Sequence, residues 1–229
     1  MSITPATLIR SAAVAAIAAG VIFIGIQINH PHSDVAAVTT TEWAVRNSLK
    51  IVMGALALAG ITGMYLRQVK QTGLLGLVGY LVFGAGYLTI IGVAFVSAYV
   101  LPSIAETDPG YVTDILAAAT GGSATGDIGL MQGALSVSAA TFLGGGLIFG
   151  IALYRARVLA RWAATLLAVA SLLTVTLAVL PDTFYRFLAV PNSVAMIGLG
   201  YSLWLTTRTE TTTLVTGIDA RSLTPASSP

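Results

Sequence analysis

A glycine-rich apolar run that ends in three arginines constrains the fold of this chain most. The run begins at Gly144, continues without a charged residue to Tyr154, and is followed by Arg155, Arg157 and Arg161. A membrane helix that reaches the cytoplasm has this pattern, because arginine and lysine accumulate on that side. The run therefore predicts a membrane-spanning helix, and it orients the other apolar segments.

The composition excludes an ordinary water-soluble domain. Of the 229 residues, 56% are hydrophobic and only 9% are charged, whereas soluble domains need about 25% charged residues to cover their surface. The 24 glycines fit a membrane bundle, in which small residues let helices approach closely. A net charge of only +2 argues against a nucleic-acid partner. Without cysteine, thiol catalysis and cysteine-ligated metals are excluded.

Six apolar segments predict an all-α fold, a polytopic bundle of six transmembrane helices. The first, Ser11 to Asn29, would cover about 28 Å as a helix, close to the bilayer core of about 30 Å. Since signal peptides have shorter apolar cores, we interpret it as an uncleaved span and not as a signal peptide. The predicted spans are residues 11–29, 43–66, 73–101, 128–154, 162–180 and 183–205. Residues 206–229, rich in Thr, Ser and Pro, are predicted to be a disordered tail.

The distribution of basic residues orients these spans. An even number of spans places both termini on one side of the membrane. Most basic residues then fall on that side, namely Arg10, Arg67, Lys70, Arg155, Arg157, Arg161, Arg208 and Arg221. The other side receives Arg46, Lys50 and Arg186. The positive-inside rule therefore predicts a multi-pass protein of the bacterial plasma membrane with cytoplasmic N and C termini.

The longest loop, residues 102–127, follows the third span, which Pro102 is expected to stop. The loop contains acidic residues but no lysine or arginine. Asp108 and Pro109 resemble a helix N-cap followed by proline at the first helical position. Apolar residues then recur at helical spacing up to Gly121. This pattern predicts a short helix, which lies on the membrane surface or packs on other loops.

Arg46, Asn47 and Lys50 are the candidate ligand-binding residues. Lys50 precedes Arg67 by 17 residues, which places it roughly 5 Å inside the outer edge of the bilayer core. In one interpretation the two cations extend to the lipid headgroups, and Glu42 pairs with Arg46 at i,i+4. In the other they line an outward-facing pocket for an anion or a lipid headgroup. Small residues on opposite faces indicate that this helix is surrounded by other helices.

Two further motifs have structural and functional interpretations. Gly146 and Gly150 form a GxxxG pair, which indicates close helix packing within the chain or, less favoured, with another protomer. Pro191 interrupts the sixth span and predicts a kink, in which Asn192 could satisfy freed backbone groups. Bent helices also occur at transporter sites, but the structural interpretation is favoured.

Catalytic and cofactor signatures are missing from the sequence. His30, His32 and Asp34 form only a weak metal-binding pattern, so we predict no metal and no cofactor. The predicted spans contain no Asp, Glu or His, which leaves carboxylate proton relays and bis-histidine haem without candidates. HExxH and GxSxG are absent. The sequence therefore argues against an enzyme.

Several segments together resemble one family of uncharacterised bacterial six-span integral membrane proteins, common in high-GC Gram-positive bacteria. These segments are Gln27–Pro31 (QINHP), Gly60–Val69 (GITGMYLRQV), Gly145–Ala152 (GGLIFGIA), Arg155–Ala164 (RARVLARWAA) and Leu199–Trp204 (LGYSLW). The resemblance covers roughly residues 8–205 and implies a helical bundle in the plasma membrane, without an activity, a cofactor or catalytic residues. The family often has proline before the Arg-Trp pair, whereas this chain has Ala160.

These observations favour a non-enzymatic structural or accessory membrane protein. Its expected partners are membrane lipids and an unidentified membrane protein. The alternative is a small transporter or a lipid- or anion-binding protein that uses Arg46, Asn47 and Lys50 near the outer leaflet.

Overall fold

The computed structural model describes residues 4–28, 33–176 and 189–207. Every regular element in these ranges is helical, and no strand occurs in them. The elements are α1 (Pro5–Gln27), α2 (Val35–Val38), α3 (Thr41–Arg67), α4 (Val69–Phe95), a π-helical segment (Val96–Val100), α5 (Leu101–Ala105), α6 (Pro109–Ala119), α7 (Leu130–Ala156), α8 (Arg161–Thr176) and α9 (residues 189–207).

Four helical stretches in the described ranges are long and apolar enough to cross a membrane. They are Pro5–Gln27, Thr41–Arg67, Val69–Ala105 and Leu130–Ala156. They coincide with the first four predicted spans, which confirms an all-helical protein with membrane-type helices. Helices α8 and α9 are the described parts of the fifth and sixth predicted spans. Residues 177–188 and the tail from residue 208 lie outside the described residues.

The long helices pack against their neighbours in chain order and close into a ring. Helix α1 packs on α3, α3 on α4, α4 on α7, and α7 on α8. Helix α9 lies between α8 and α1. A Cβ atom on Gly200 would be 2.8 Å from the Ala13 carbonyl oxygen, and one on Gly198 would be 3.0 Å from Ala163 Cβ. Helices α4 and α7 run antiparallel, since Gly79 meets Phe149 and Gly86 meets Phe142.

The ring has two ends, which we name by their residues. At the Trp43 end α1 finishes and α3 and α7 begin, whereas at the Arg67 end α3 and α7 finish and α4 and α8 begin. Apolar side chains fill the centre between the ends; the largest fully buried ones include Ile61, Met64, Phe83, Phe149, Leu153, Leu167, Met196, Leu199 and Leu203. The outer surface is apolar too, as shown by Leu74 on α4, which is 76% exposed. An apolar exterior of this kind suits lipid rather than water.

Glycines bring α4 and α7 into backbone contact. A Cβ atom on Gly79 would be 2.7 Å from Phe149 Cα, and one on Gly86 would be 2.6 Å from Phe142 Cα. From the opposite helix, Gly145 meets the backbone of Phe83. Gly79 and Gly86 were missed in the sequence, although their seven-residue spacing was the available signal.

Gly146 and Gly150 lie on α7 where it faces α8. A Cβ atom on Gly150 would be 2.8 Å from Ala168 N and 2.9 Å from the Ala164 carbonyl oxygen. One on Gly146 would meet the hydroxyl of Ser171. The structure therefore places the GxxxG pair against a helix of the same chain.

The third predicted span begins where expected and extends further at its C-terminal end. Gln68 is the single residue between α3 and α4, but Gly73 inside α4 has non-helical dihedral angles, with a φ of 56° and a ψ of −148°, so the uninterrupted helix starts after Gly73. At the other end Pro102 does not stop the helical path. It lies at the start of α5, after the π-helical segment has changed the register. The first turn of a helix tolerates proline, because its backbone N–H groups have no partner within the helix.

The short helix α6 is confirmed, and it packs on protein. The Asp108 carboxylate caps it by accepting the Tyr111 N–H at 3.0 Å. Its apolar face is buried in a cluster at the Trp43 end, separate from the central core; this cluster contains Val38, Trp43, Leu101, Ala105, Val112, Ile115, Leu116 and Ile128. The structure therefore supports the interpretation in which α6 packs on other loops and helix ends, and not the one in which it lies on the membrane surface.

A carboxylate fastens the loop that follows α6. Asp114 accepts hydrogen bonds from the Thr125 backbone N–H at 2.7 Å, the Thr125 hydroxyl at 2.9 Å and the Gly126 N–H at 3.0 Å. These bonds, led by that from the Thr125 backbone, lower the pKa of the Asp114 carboxyl below its ordinary value. Asp114 therefore stays ionised at neutral pH and holds the loop against α6.

The turn between α7 and α8 is joined to α9 by the backbone N–H of Ala160. The Ala160 N–H donates to the Ser202 hydroxyl of α9 at 2.9 Å. Proline at this position would have no N–H to donate. The Arg161 guanidinium lies 4.1 Å from the centre of the Tyr154 ring, which joins the end of α7 to the start of α8.

Candidate functional site

The candidate site lies in the first three turns of α3, at the Trp43 end. The Thr40 hydroxyl begins the helix by accepting the Trp43 N–H at 3.2 Å. Glu42 in the first turn is stabilised by the positive end of the helix dipole. This local start fixes the positions of Arg46, Asn47 and Lys50 on the helix.

Arg46 connects two helices. Its Nε and Nη2 atoms donate to Glu42 Oε1 at 2.9 and 2.7 Å, so the predicted i,i+4 pair is confirmed. Its Nη1 atom donates to the carbonyl oxygens of Ile26 and Ile28 at 3.0 and 2.9 Å. Carbonyls at a helix C-terminus lack partners within the helix, and a cation there is favourable. Arg46 therefore caps the end of α1 and holds it to α3.

Trp43 attaches α3 to the π-helical segment, whereas Asn47 bonds within α3. The Trp43 indole Nε1 donates to the Ser97 carbonyl oxygen at 2.8 Å. The Asn47 side chain is only 3% exposed, and its Nδ2 atom donates to the Trp43 carbonyl oxygen one turn earlier at 3.0 Å. Both side chains therefore have a structural role.

Lys50 lies on the α3 face that packs against α4. It is half-buried and lies between Trp43 and Gly54 along the helix. Trp43 bonds Ser97, and a Cβ atom on Gly54 would lie 2.6 Å from Ile91 Cγ1 in α4. The opposite side of α3 packs on α1 through Gly63, so this helix is surrounded as its small residues indicated. Among the residues that the structure describes, Lys50 has no hydrogen-bond or ion-pair partner. Of the three candidate residues, Lys50 is therefore the one for which the described structure shows no such partner.

Pro191 and Asn192 lie at the start of the described part of α9. The residues before position 189 are outside the described ranges, so the predicted kink at Pro191 stays a prediction. Asn192 is buried, and its Oδ1 atom has no hydrogen-bond partner in the described part of the chain. In the described structure this oxygen does not accept a hydrogen bond from a backbone N–H.

The weak metal-binding pattern divides between described and undescribed residues. His30 and His32 lie outside the described ranges. The Asp34 carboxylate accepts the Ala37 N–H at 2.7 Å as the N-cap of α2. No group of three potential metal-ligating side chains occurs among the described residues.

A groove beside Arg46 was missed in the sequence. It occupies about 370 Å³ between the end of α1 and the start of α3, and it is lined by Gly25, Ile26, Thr41, Glu42, Val45, Arg46 and Leu49. Lys50 does not line it. The sequence carried no signal for this groove, because it depends on how the two helices diverge at their ends.

Arg46 joins α1 to α3, Asn47 bonds the backbone of its own helix, and Lys50 supplies a positive charge. Comparisons with models of protein families, with curated proteins and with solved structures find no match to this chain.

Proposed function

We propose that this chain is a six-span integral protein of the bacterial plasma membrane, with cytoplasmic termini and a structural or accessory role. The observation that carries this proposal is the closed ring. Helices α8 and α9 complete a circle that the four long apolar helices leave open, and a bundle embedded in lipid would need them to span as well. The resemblance to the six-span bacterial family belongs to the same proposal.

The charge at the two ends supports the orientation. Within the described ranges, the Arg67 end carries Arg10, Arg67, Lys70, Arg155, Arg157 and Arg161. The Trp43 end carries Arg46 and Lys50, and Arg46 is paired there with Glu42. By the positive-inside rule the Arg67 end faces the cytoplasm.

The accessory role is supported by how the polar groups of α3 are used. Arg46, Asn47 and Trp43 bond to other helices or to their own backbone, so they stabilise the bundle instead of meeting a substrate. The apolar exterior can contact both lipids and another membrane protein. We therefore expect such a partner, and no nucleic acid, to associate with this protein.

Single cysteines test the orientation on a chain that has none of its own. Ser123→Cys and Gln71→Cys place thiols at exposed positions on the Trp43 and Arg67 ends. We expect a membrane-impermeant maleimide to label the Ser123→Cys variant in intact cells, and the Gln71→Cys variant only after permeabilisation. The reverse pattern would overturn the orientation, and equal labelling of both in intact cells would contradict the membrane-spanning bundle.

A lipid- or anion-binding role at Lys50 is the second candidate. It is favoured by a half-buried ammonium that has no partner among the described residues, since a buried charge is stabilised by a counter-ion. An anionic solute or headgroup at the Trp43 end would supply that counter-ion.

Native mass spectrometry of Lys50→Met tests this role. We expect the variant to fold and to lose an anionic lipid or solute that co-purifies with the parent protein. Lys70→Met, which removes an exposed lysine at the opposite end, is the matched control and should retain it. If Lys50→Met keeps the same bound molecules, Lys50 only extends towards the headgroups.

A further inference from the structure

The groove between α1 and α3 has apolar walls and a polar edge. Gly25 of α1 and Val45 and Leu49 of α3 form the walls; Ile26 also borders the groove, but it is only 2% exposed. Thr41, Glu42 and Arg46 form the edge, at the end of both helices. A site with this division fits an amphipathic molecule, with its apolar part along the walls and its polar part at the edge.

Gly25 leaves the groove open. No atom of the described residues lies within 4 Å of the position that a Cβ atom would take there, and Gly25 itself is exposed. Val45 and Leu49 are 52% and 40% exposed, so their side chains are available for contact. On two helices of membrane length, this position is where acyl chains meet the headgroup layer.

The polar edge offers hydrogen-bond acceptors more than donors. Arg46 donates to Glu42 and to two carbonyls of α1, and its charge is balanced by the Glu42 carboxylate. Both bonds to Glu42 end on Oε1, so Oε2 takes part in neither of them, and the side chain is 56% exposed. The Thr41 hydroxyl is a further acceptor on the edge. An ammonium group that carries N–H donors can bond to the exposed Glu42 carboxylate at this edge.

We propose that this groove binds one phosphatidylethanolamine molecule. An acyl chain lies along Gly25, Val45 and Leu49, and the primary ammonium group donates to the Glu42 carboxylate. The inference rests on the proposed position of α1 and α3 in a membrane, and it is independent of a ligand at Lys50.

Headgroup competition tests the polar edge. The protein is reconstituted in nanodiscs with equal amounts of phosphatidylethanolamine, phosphatidylcholine and phosphatidylglycerol, and the retained lipids are identified by native mass spectrometry. We expect phosphatidylethanolamine to be enriched over phosphatidylcholine, whose quaternary ammonium has no N–H. Glu42→Gln keeps an acceptor for Arg46 but removes the charge, and it should reduce the enrichment about two- to fivefold, the effect of one exposed ion pair. Glu106→Gln removes an exposed carboxylate outside the groove and should leave the enrichment unchanged.

Filling the groove tests its apolar part. Gly25→Phe places a ring in open space, so it should displace the lipid without disturbing the bundle. Gly92→Phe, at an equally open and exposed position on α4, is the matched control and should retain the lipid.

The outcomes separate this inference from the function proposed above. Unchanged lipid retention in Gly25→Phe would overturn the groove as a lipid site, and unchanged headgroup preference in Glu42→Gln would overturn the role of Glu42. Neither outcome affects the orientation measured with the cysteines. Loss of phosphatidylethanolamine in Lys50→Met, with Gly25→Phe unaffected, would move the lipid from this groove to Lys50 and would also overturn the inference.

Discussion

Leucine at Gly145 is expected to destabilise the bundle severely, whereas leucine at the adjacent Gly144 is expected to leave it intact. A Cβ atom on Gly145 would overlap the backbone of Phe83, and Phe83 is fully buried in the core. A Cβ atom on Gly144 would have no atom of the described part of the chain within 4 Å. The two variants therefore differ in packing, although they are neighbours on one helix.

The expected magnitude follows from what the new side chain meets. Overpacking a core lowers the free energy of unfolding by about 1–3 kcal/mol when side chains can adjust. At Gly145 the obstacle is backbone, so α4 and α7 must separate, and we expect the upper end of this range or complete loss of the folded protein. The gain in helix propensity from glycine to leucine, up to about 1 kcal/mol, is similar at both positions and does not explain a difference.

Thermal unfolding in detergent measures this effect. The Gly145→Leu variant should melt well below the parent protein or elute as aggregate in size-exclusion chromatography, and Gly144→Leu should match the parent. Gly150→Leu should also lower the melting temperature, because a Cβ atom there would meet the backbone of Ala164 and Ala168 in α8. Equal melting temperatures for Gly144→Leu and Gly145→Leu would mean that α4 and α7 do not approach so closely.

Replacing Arg46 by methionine should release the end of α1 from α3. The substitution keeps a long side chain and removes the hydrogen bonds to Glu42 and to the Ile26 and Ile28 carbonyl oxygens. A hydrogen bond that involves a charged group contributes about 1.5–3 kcal/mol. Because Glu42 is exposed and can be hydrated, we expect a total loss of about 2 kcal/mol rather than the sum of the bonds.

Hydrogen exchange localises this effect. In Arg46→Met, backbone amides in the last two turns of α1 should exchange faster, and amides near Phe83 and Phe149 should keep their protection. Arg46→Lys retains the charge but has one donor group in place of a planar fork, so it should rescue only part of the protection. Unchanged exchange at the end of α1 in Arg46→Met would show that Arg46 does not cap this helix.

Features that depend on neighbouring residues were predictable from the sequence. Uncharged runs of about 20 residues mark membrane helices, because the thickness of the bilayer sets their length. Asp108 followed by Pro109 marks the start of α6, since the cap is formed within one turn. Glu42 and Arg46 pair because residues four apart share a helix face. Each of these predictions needs only helix geometry and the residues of one segment.

Features that join distant segments were decided by the tertiary structure. The three glycines at 144–146 are identical in sequence, yet Gly144 faces open space, Gly145 faces α4 and Gly146 faces α8. Arg46 was open to two interpretations until its bonds to carbonyls 18 and 20 residues earlier were seen. Lys50 could have faced lipid or protein, and the structure places it half-buried on the α3 face that packs on α4. Helix periodicity groups residues on a face, but which helix meets that face depends on how all the long helices pack together.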